Sequence, residues 1–169
     1  MATCLIGAGP LADARFPRQI DCVRCSGGLA TLSCMTTEEH REPVSEDQWR
    51  QKLTRQQYRV LREKGTDRPF EGEYTHPVYS GMFRCAGCGA ALFSSETQFD
   101  SGSGWPSFSA PLDPERVVLH EDASHNMVRI EVTCRSCGGH LGHLFDDGPM
   151  ETGQRWCINS TSLELDSSA

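Results

Sequence analysis

Two short turns of one form, Cys85-Ala86-Gly87-Cys88-Gly89 and Cys134-Arg135-Ser136-Cys137-Gly138, limit what this chain can fold into more than any other feature. With two residues between the thiolates, one tight turn directs both sulfurs at one point. The glycine after the second cysteine can take a positive φ, which lets backbone N–H groups turn toward the sulfurs. Two such knuckles make the tetrahedral four-sulfur shell that structural zinc prefers. A disulfide within each pair and a four-sulfur iron centre fit the same spacing. The reading adopted is one structural Zn2+ on Cys85, Cys88, Cys134 and Cys137. Forty-five residues separate the knuckles, so the ion would clip distant parts of one domain together. In zinc-finger peptides such an ion contributes about 10–16 kcal/mol. A shell of four sulfurs has no open position, so the metal is expected to hold the fold and not to catalyse.

The 169 residues suffice for one ordinary domain and a tail, and a hydrophobic content of 37% supports a modest core that such a staple would help. The net charge of −7, with both signs interspersed, argues against a nucleic-acid partner, which would call for a basic patch. No run approaches the apolar length of a membrane span. A zinc deaminase is rejected as well. His40-Arg41-Glu42 imitates half of its signature, but Arg84 and Thr133 stand where proline should precede each cysteine pair.

Residues 1–44 lack periodicity and are read as a disordered extension that holds Cys4, Cys22, Cys25 and Cys34. The apolar stretch Cys4–Leu11 is a poor signal peptide: no basic segment precedes it, and glycine and proline interrupt it. Arg15, Arg18 and Arg24 suggest organellar targeting by residues 1–34, which Asp13 and Asp21 weaken. A cytoplasmic protein is expected. The ordered domain is placed at 45–165, with a tail at 166–169. Ser45-Glu46-Asp47 opens a helix that buries Trp49 and Leu53. Thr54 and Gln57 form a capping box for a second helix, which buries Tyr58 and Leu61 and ends at Gly65. Strands follow. Val128, Ile130 and Val132 alternate with Arg129, Glu131 and Thr133, which predicts a half-buried strand. Val117–Leu119, Met82–Arg84 and Ser162–Leu165 are shorter strand candidates. Two helices therefore precede an antiparallel β domain.

One cysteine of the ordered region lies outside the knuckles: Cys157, in Arg155-Trp156-Cys157-Ile158-Asn159. A lone cysteine is commonly a small buried hydrophobe. Here Arg155 shares its face if the segment is a strand and would favour a thiolate. Asn159, two residues on, offers amide donors. His140-Leu141-Gly142-His143 follows the second knuckle closely, so the metal would fix its position, although either histidine alone is as readily a structural residue. Ser101-Gly102-Ser103-Gly104-Trp105-Pro106-Ser107-Phe108 combines glycines that allow close backbone approach with an indole plate, where Trp105 as plain core is the alternative.

From about Ser45 to Leu165 the chain resembles the methionine-R-sulfoxide reductase (MsrB) family. The resemblance rests on four segments in order: the paired knuckles, the Ser-Gly-x-Gly-Trp-Pro-Ser-Phe segment, His140–Pro149, and Arg155–Ser160. It implies a mainly β fold, a β-tent of two antiparallel sheets with two short N-terminal helices and a structural zinc. It also implies reduction of the R-epimer of protein-bound methionine sulfoxide, as a repair of oxidised proteins and peptides. The Cys157 thiolate would attack the sulfoxide sulfur. His140 and His143 would hold or protonate its oxygen, with Asp147, Arg155 and Asn159 organising them, and Trp105 would pack on the S-methyl group. Cys157 would be left as a sulfenic acid, for thioredoxin or another thiol to reduce.

The sequence departs from the commonest family pattern where Ser103 stands in place of a resolving cysteine. The alternative cysteine that some relatives carry just after the Pro-Phe preceding Glu71 is missing too. Regeneration would then use a tail cysteine or an external thiol directly. A non-catalytic zinc-binding module on the same scaffold is the competing reading. A monomer is expected.

Overall fold

The computed structural model describes residues 44–124 and 127–168. Two short helices come first, α1 (Glu46–Lys52) and α2 (Arg55–Leu61). Each starts on a reciprocal capping box, Ser45 with Gln48 and Thr54 with Gln57, which satisfies N–H groups that the first turn leaves open. The expected Ser45 cap thus gains a partner in Gln48. Trp49, Leu53, Val60 and Leu61 are buried, and Tyr58 is half-buried. Gly65 does not end α2 as expected. The helix stops at Leu61, with Arg62 as its cap, and Lys64 takes the left-handed conformation, φ +55°. Gly65 is required for space: its N–H reaches back to the Arg59 carbonyl (2.9 Å), and a β-carbon there would lie 2.8 Å from that oxygen.

Among the described residues nine strands follow, and every pairing of them is antiparallel. β1 (Met82–Cys85) lies between β2 (Ala91–Ser94) and β9 (Leu163–Asp166) in a three-stranded sheet. The larger sheet has the order β3 (Gln98–Phe99), β4 (Ser107–Phe108), β8 (Arg155–Ile158), β7 (His140–Phe145), β6 (Arg129–Cys134), β5 (Val117–Asp122). This is the mainly β, two-sheet architecture expected from the sequence.

Aromatic rings lock the sheets together. Phe83 of β1 and Phe93 of β2 are register partners, as are Phe108 of β4 and Trp156 of β8. Phe93 stacks on Phe108 with centroids 4.5 Å apart, and Phe83 meets Phe108 edge-on at 5.2 Å.

The long strand expected from Val128 to Thr133 is present as β6, but it is not half-buried. Glu131 and Thr133 are buried along with Val132, while Val128 is exposed ahead of the strand. An interior strand has both faces open to cover, and here the polar face is closed by charge pairing. The two-residue strands β3 and β4 carry no sequence signal, since they are too short for an alternating pattern.

Candidate active site and metal centre

The two knuckles sit at the turns of two hairpins, β1–β2 in the small sheet and β6–β7 in the large one. Each closes in the same way. Gly89 and Gly138 take φ +76° and +68°, and their N–H groups donate to the Cys85 and Cys134 carbonyls at 2.8 Å. The four sulfurs lie within 4.8 Å of one another, with Cys85–Cys137 at 3.7 Å and Cys88–Cys134 at 3.6 Å. A tetrahedral ion with metal–sulfur bonds of about 2.3 Å needs edges of about 3.8 Å, so the set fits. Mutual hydrogen bonding divides the thiols, pulling Cys88 and Cys134 below the ordinary thiol range and pushing Cys85 and Cys137 above it. The helices secure the frame: Lys52 Nζ donates to the Gly87 carbonyl (2.6 Å) and Arg62 Nη1 to that of Cys137 (3.1 Å). Leu61 lies against Gly87 and Gly139, where a β-carbon would approach its methyls to 3.5 and 3.0 Å.

Strand β8 alternates as the period of two requires. Trp156 and Ile158 turn into the core, while Arg155 and Cys157 occupy the other face, half-buried. Burial pushes the Cys157 thiol above its ordinary range; Arg155 and the neighbouring Ser103 hydroxyl pull it part of the way back. Asp147 holds the Arg155 guanidinium through two oxygens, at 2.7 and 3.0 Å, and Phe145 lies beneath it at 4.6 Å. Asp147 is exposed, so this pair orients more than it stabilises.

His140 and His143 are three residues apart in β7, a spacing that in a regular strand puts side chains on opposite faces. A register shift corrects this. Thr133 pairs with His140 and Val132 with Gly142, so Leu141 is the extra residue of a bulge. Both imidazoles therefore lie on one face, 5.4 Å apart. Cys157 lies on that face too, directly across the ladder from His143. Three donors converge on the carbonyl of the bulged Leu141: the Asn159 N–H (2.8 Å), Asn159 Nδ2 (3.0 Å) and Ser162 Oγ (3.3 Å). Gly142 permits the close approach of β8, since a β-carbon there would run into the Cys157 carbonyl.

Each imidazole is paired with a carboxylate. His140 Nδ1 lies 2.7 Å from Glu131 Oε1, and His143 Nε2 lies 2.9 Å from Asp122 Oδ2. Lys64 and Arg129 complete these contacts, at 2.7 and 2.8 Å from the carboxylates. The Ser124 hydroxyl, then His143 and the Ser124 N–H, hold Asp122 well below the usual carboxylate range. Burial pushes His140 below the usual histidine range, outweighing the opposite pull of Glu131. Neither carboxylate stands out in the sequence, where the alternation of β6 assigns Glu131 to the solvent face.

Trp105 is fixed by its Nε1, which donates to the Asp67 carbonyl (2.9 Å). The Asp67 N–H donates in turn to Asn159 Oδ1 (2.9 Å). Asn159, expected to offer donors to a substrate, thus spends its oxygen and one N–H on the framework. The Asp67 carboxylate is held by Thr161, at 2.8 Å from its N–H and 2.7 Å from its hydroxyl. Trp105, Arg129, His143, Phe145, Cys157 and Asn159 line one cleft of about 100 Å³. A larger groove of about 940 Å³ shares only Thr66 with it and holds neither thiol nor imidazole. His140 is buried beside His143, behind the cleft wall. Cys4, Cys22, Cys25 and Cys34 lie outside the described residues.

Comparison with known proteins agrees with this geometry. The family model described as the SelR domain matches residues 53–167. The peptide methionine sulfoxide reductase MsrB of Hahella chejuensis is 55% identical over 123 residues, which cover 73% of this chain and 88% of that protein. The protein of the same name from Bradyrhizobium diazoefficiens is 56% identical over 130 residues, covering 77% and 94%. Methionine-R-sulfoxide reductase B3, mitochondrial, of Mus musculus is 49% identical over 138 residues, covering 82% and 54%. The chain belongs to the SelR-domain family of MsrB methionine sulfoxide reductases.

Proposed function

We infer that this chain reduces the R-epimer of methionine sulfoxide in oxidised proteins, with thiols as the final reductant. The observation that carries the reading is Cys157, half-buried in a cleft with Trp105, directly across the ladder from His143. The Cys157 thiolate gives an electron pair to the electrophilic sulfoxide sulfur, and the oxygen gains a proton. Oxygen then passes to the Cys157 sulfur as methionine leaves, so one sulfur is oxidised and the other reduced. The resulting sulfenic acid condenses with one thiol, releasing water, and a second thiol cleaves the disulfide.

Arg155, held by Asp147, supplies positive charge beside the thiolate. His143 serves as proton donor. Asp122 is an acceptor for its Nε2–H, so the second proton of the imidazolium sits on Nδ1, free for the sulfoxide oxygen. Trp105 gives the S-methyl group an apolar plate. Cys85, Cys88, Cys134 and Cys137 would hold zinc, which would supply structural cross-linking between the sheets.

A single-turnover assay with resolved R- and S-sulfoxide peptides tests this reading. One equivalent of methionine should form from the R-epimer alone. Equal reduction of both epimers, or none by metal-loaded protein, would overturn it. Repeating the assay with dithiothreitol and with thioredoxin identifies the reductant.

A further inference from the structure

We propose that Lys64 and Glu131 are positioning residues for the reduction: they lock His140 in the tautomer protonated at Nδ1 and so leave an unprotonated Nε2 on the sheet face that carries His143 and Cys157. The proposal rests on the reductase reading for its kinetic part and on geometry for the rest.

Glu131 is 2% exposed, and both its oxygens are engaged, Oε1 with His140 Nδ1 and Oε2 with Lys64 Nζ, each at 2.7 Å. Burial alone would favour the neutral acid, but the bonds from Lys64 and His140 outweigh it and keep the carboxyl below its usual range. An ionised carboxylate can only accept. The hydrogen in the Glu131–His140 bond therefore belongs to the imidazole, at Nδ1. Neutral His140 then carries its lone pair on Nε2, which is buried and has no hydrogen-bond partner among the described residues. A bare lone pair cannot hydrogen-bond to a sulfoxide oxygen, itself an acceptor. It can accept only from an N–H or O–H, and the ring beside it on the same face is His143, with centroids 5.4 Å apart. His140 thus stands behind the cleft wall as a fixed neighbour of the proton donor, and holding it in one tautomer keeps the hydrogen-bonding surroundings of His143 constant.

Lys64 supplies an independent sign that this arrangement is functional. It holds φ +55° past the end of α2, a conformation that favours glycine, and its side chain is largely exposed except where it meets Glu131. A residue needed only to turn the chain would be better as glycine. Strain kept at a position whose side chain caps a buried carboxylate points to the side chain as its reason.

Nitrogen-15 spectra of histidine-labelled protein, metal-loaded, read the tautomer directly, alongside single-turnover kinetics. In the native protein His140 should show the Nδ1–H pattern. Glu131→Gln should lose the single tautomer and slow the first turnover by about tenfold or more, with little change in KM. Glu131→Asp should recover part of the loss. Lys64→Gly relieves the backbone strain but leaves the buried Glu131 oxygen without its cation, so it should react several-fold more slowly whatever its melting temperature; Lys64→Arg should restore the rate. An Nε2–H pattern in the native protein overturns the proposal, as does a Lys64→Gly variant with native rate and spectrum. Should Glu131→Gln fail to fold, Lys64→Gly and Lys64→Arg decide. If the native protein reduces no sulfoxide, the reductase reading fails while the spectra still judge the tautomer.

Discussion

Asn159 and Leu141 are joined twice: the backbone N–H and the side-chain amide of Asn159 both donate to the Leu141 carbonyl, at 2.8 and 3.0 Å. Leu141 is the extra residue of the β7 bulge, and that bulge puts His140 and His143 on one face. Asn159→Ala should therefore destabilise the domain by about 1–3 kcal/mol, the cost of buried polar groups left unpaired. It should also lower the first-turnover rate. Asn159→Asp keeps the acceptor for the Asp67 N–H but loses the side-chain donor, so it should show the same kinetic defect. Chemical denaturation and rapid-quench kinetics measure both effects, and a native rate in either variant would show that the bulge holds without this amide.

Gly142 offers a sharper test of the same strand. A β-carbon there would collide with the Cys157 carbonyl, so Gly142→Ala should part β8 from β7 and abolish turnover. Circular dichroism and melting would report the damage, and soluble protein with a native melt and native rate would refute it.

The Cys157 thiol is pushed up by burial and drawn back by Arg155. Less thiolate is therefore present at neutral pH than for an ordinary cysteine, and alkylation of Cys157 should accelerate as pH rises through a midpoint above the usual range. Arg155→Met removes a favourable charge, so its midpoint should move higher still. Labelling at pH 7 should slow about tenfold for every pH unit that the midpoint climbs. Iodoacetamide labelling followed by mass spectrometry across pH 6–10 gives both midpoints. An unchanged or lower midpoint in Arg155→Met would remove that residue from thiolate stabilisation.

Because each knuckle belongs to a different sheet, losing the metal should separate the sheets. Cys134→Ser, or prolonged chelation, should release the ion and lower the melting temperature by on the order of 15 °C or more. Cys157→Ser should keep the full metal content and the native melt while losing turnover. Elemental analysis with calorimetry checks both, and metal-free protein that melts like the native form would exclude a structural ion.

Ser103 lies close enough to Cys157 to act on its thiol. We expect Ser103→Cys to form a disulfide with Cys157 within one cycle and to raise thioredoxin-driven turnover, with the first turnover nearly unchanged. In the native protein, a dimedone-type probe should trap the sulfenic acid on Cys157. Peptide mapping after one equivalent of substrate distinguishes the two outcomes. If the native protein instead forms a disulfide from Cys157 to a cysteine of residues 1–34, that cysteine is the resolving thiol and the external reductant acts on the disulfide.

Much of this molecule was legible in the order of its residues because the signals are local. A Cys-x-x-Cys-Gly turn aims two sulfurs within five residues, a capping box closes within four, and the alternation Arg155-Trp156-Cys157-Ile158 assigns faces by the strand period alone. The metal set, both helix starts and the neighbourhood of Cys157 follow from such short-range geometry. The carboxylates behind the histidines do not. Glu131 looks like the wet side of an amphipathic strand until β7 and Lys64 cover it, and Asp122 sits at the end of a strand 21 residues from its imidazole. The two histidines share a face only through a bulge whose carbonyl is held from another strand's end, and Asn159, read as a donor to substrate, is one of its supports. Side-chain type and spacing thus determined which chemical groups the chain brings to the cleft and to the metal set. Pairing register and burial, set by contacts between residues far apart in the chain, decided which way those atoms face, where their protons sit and what holds them there.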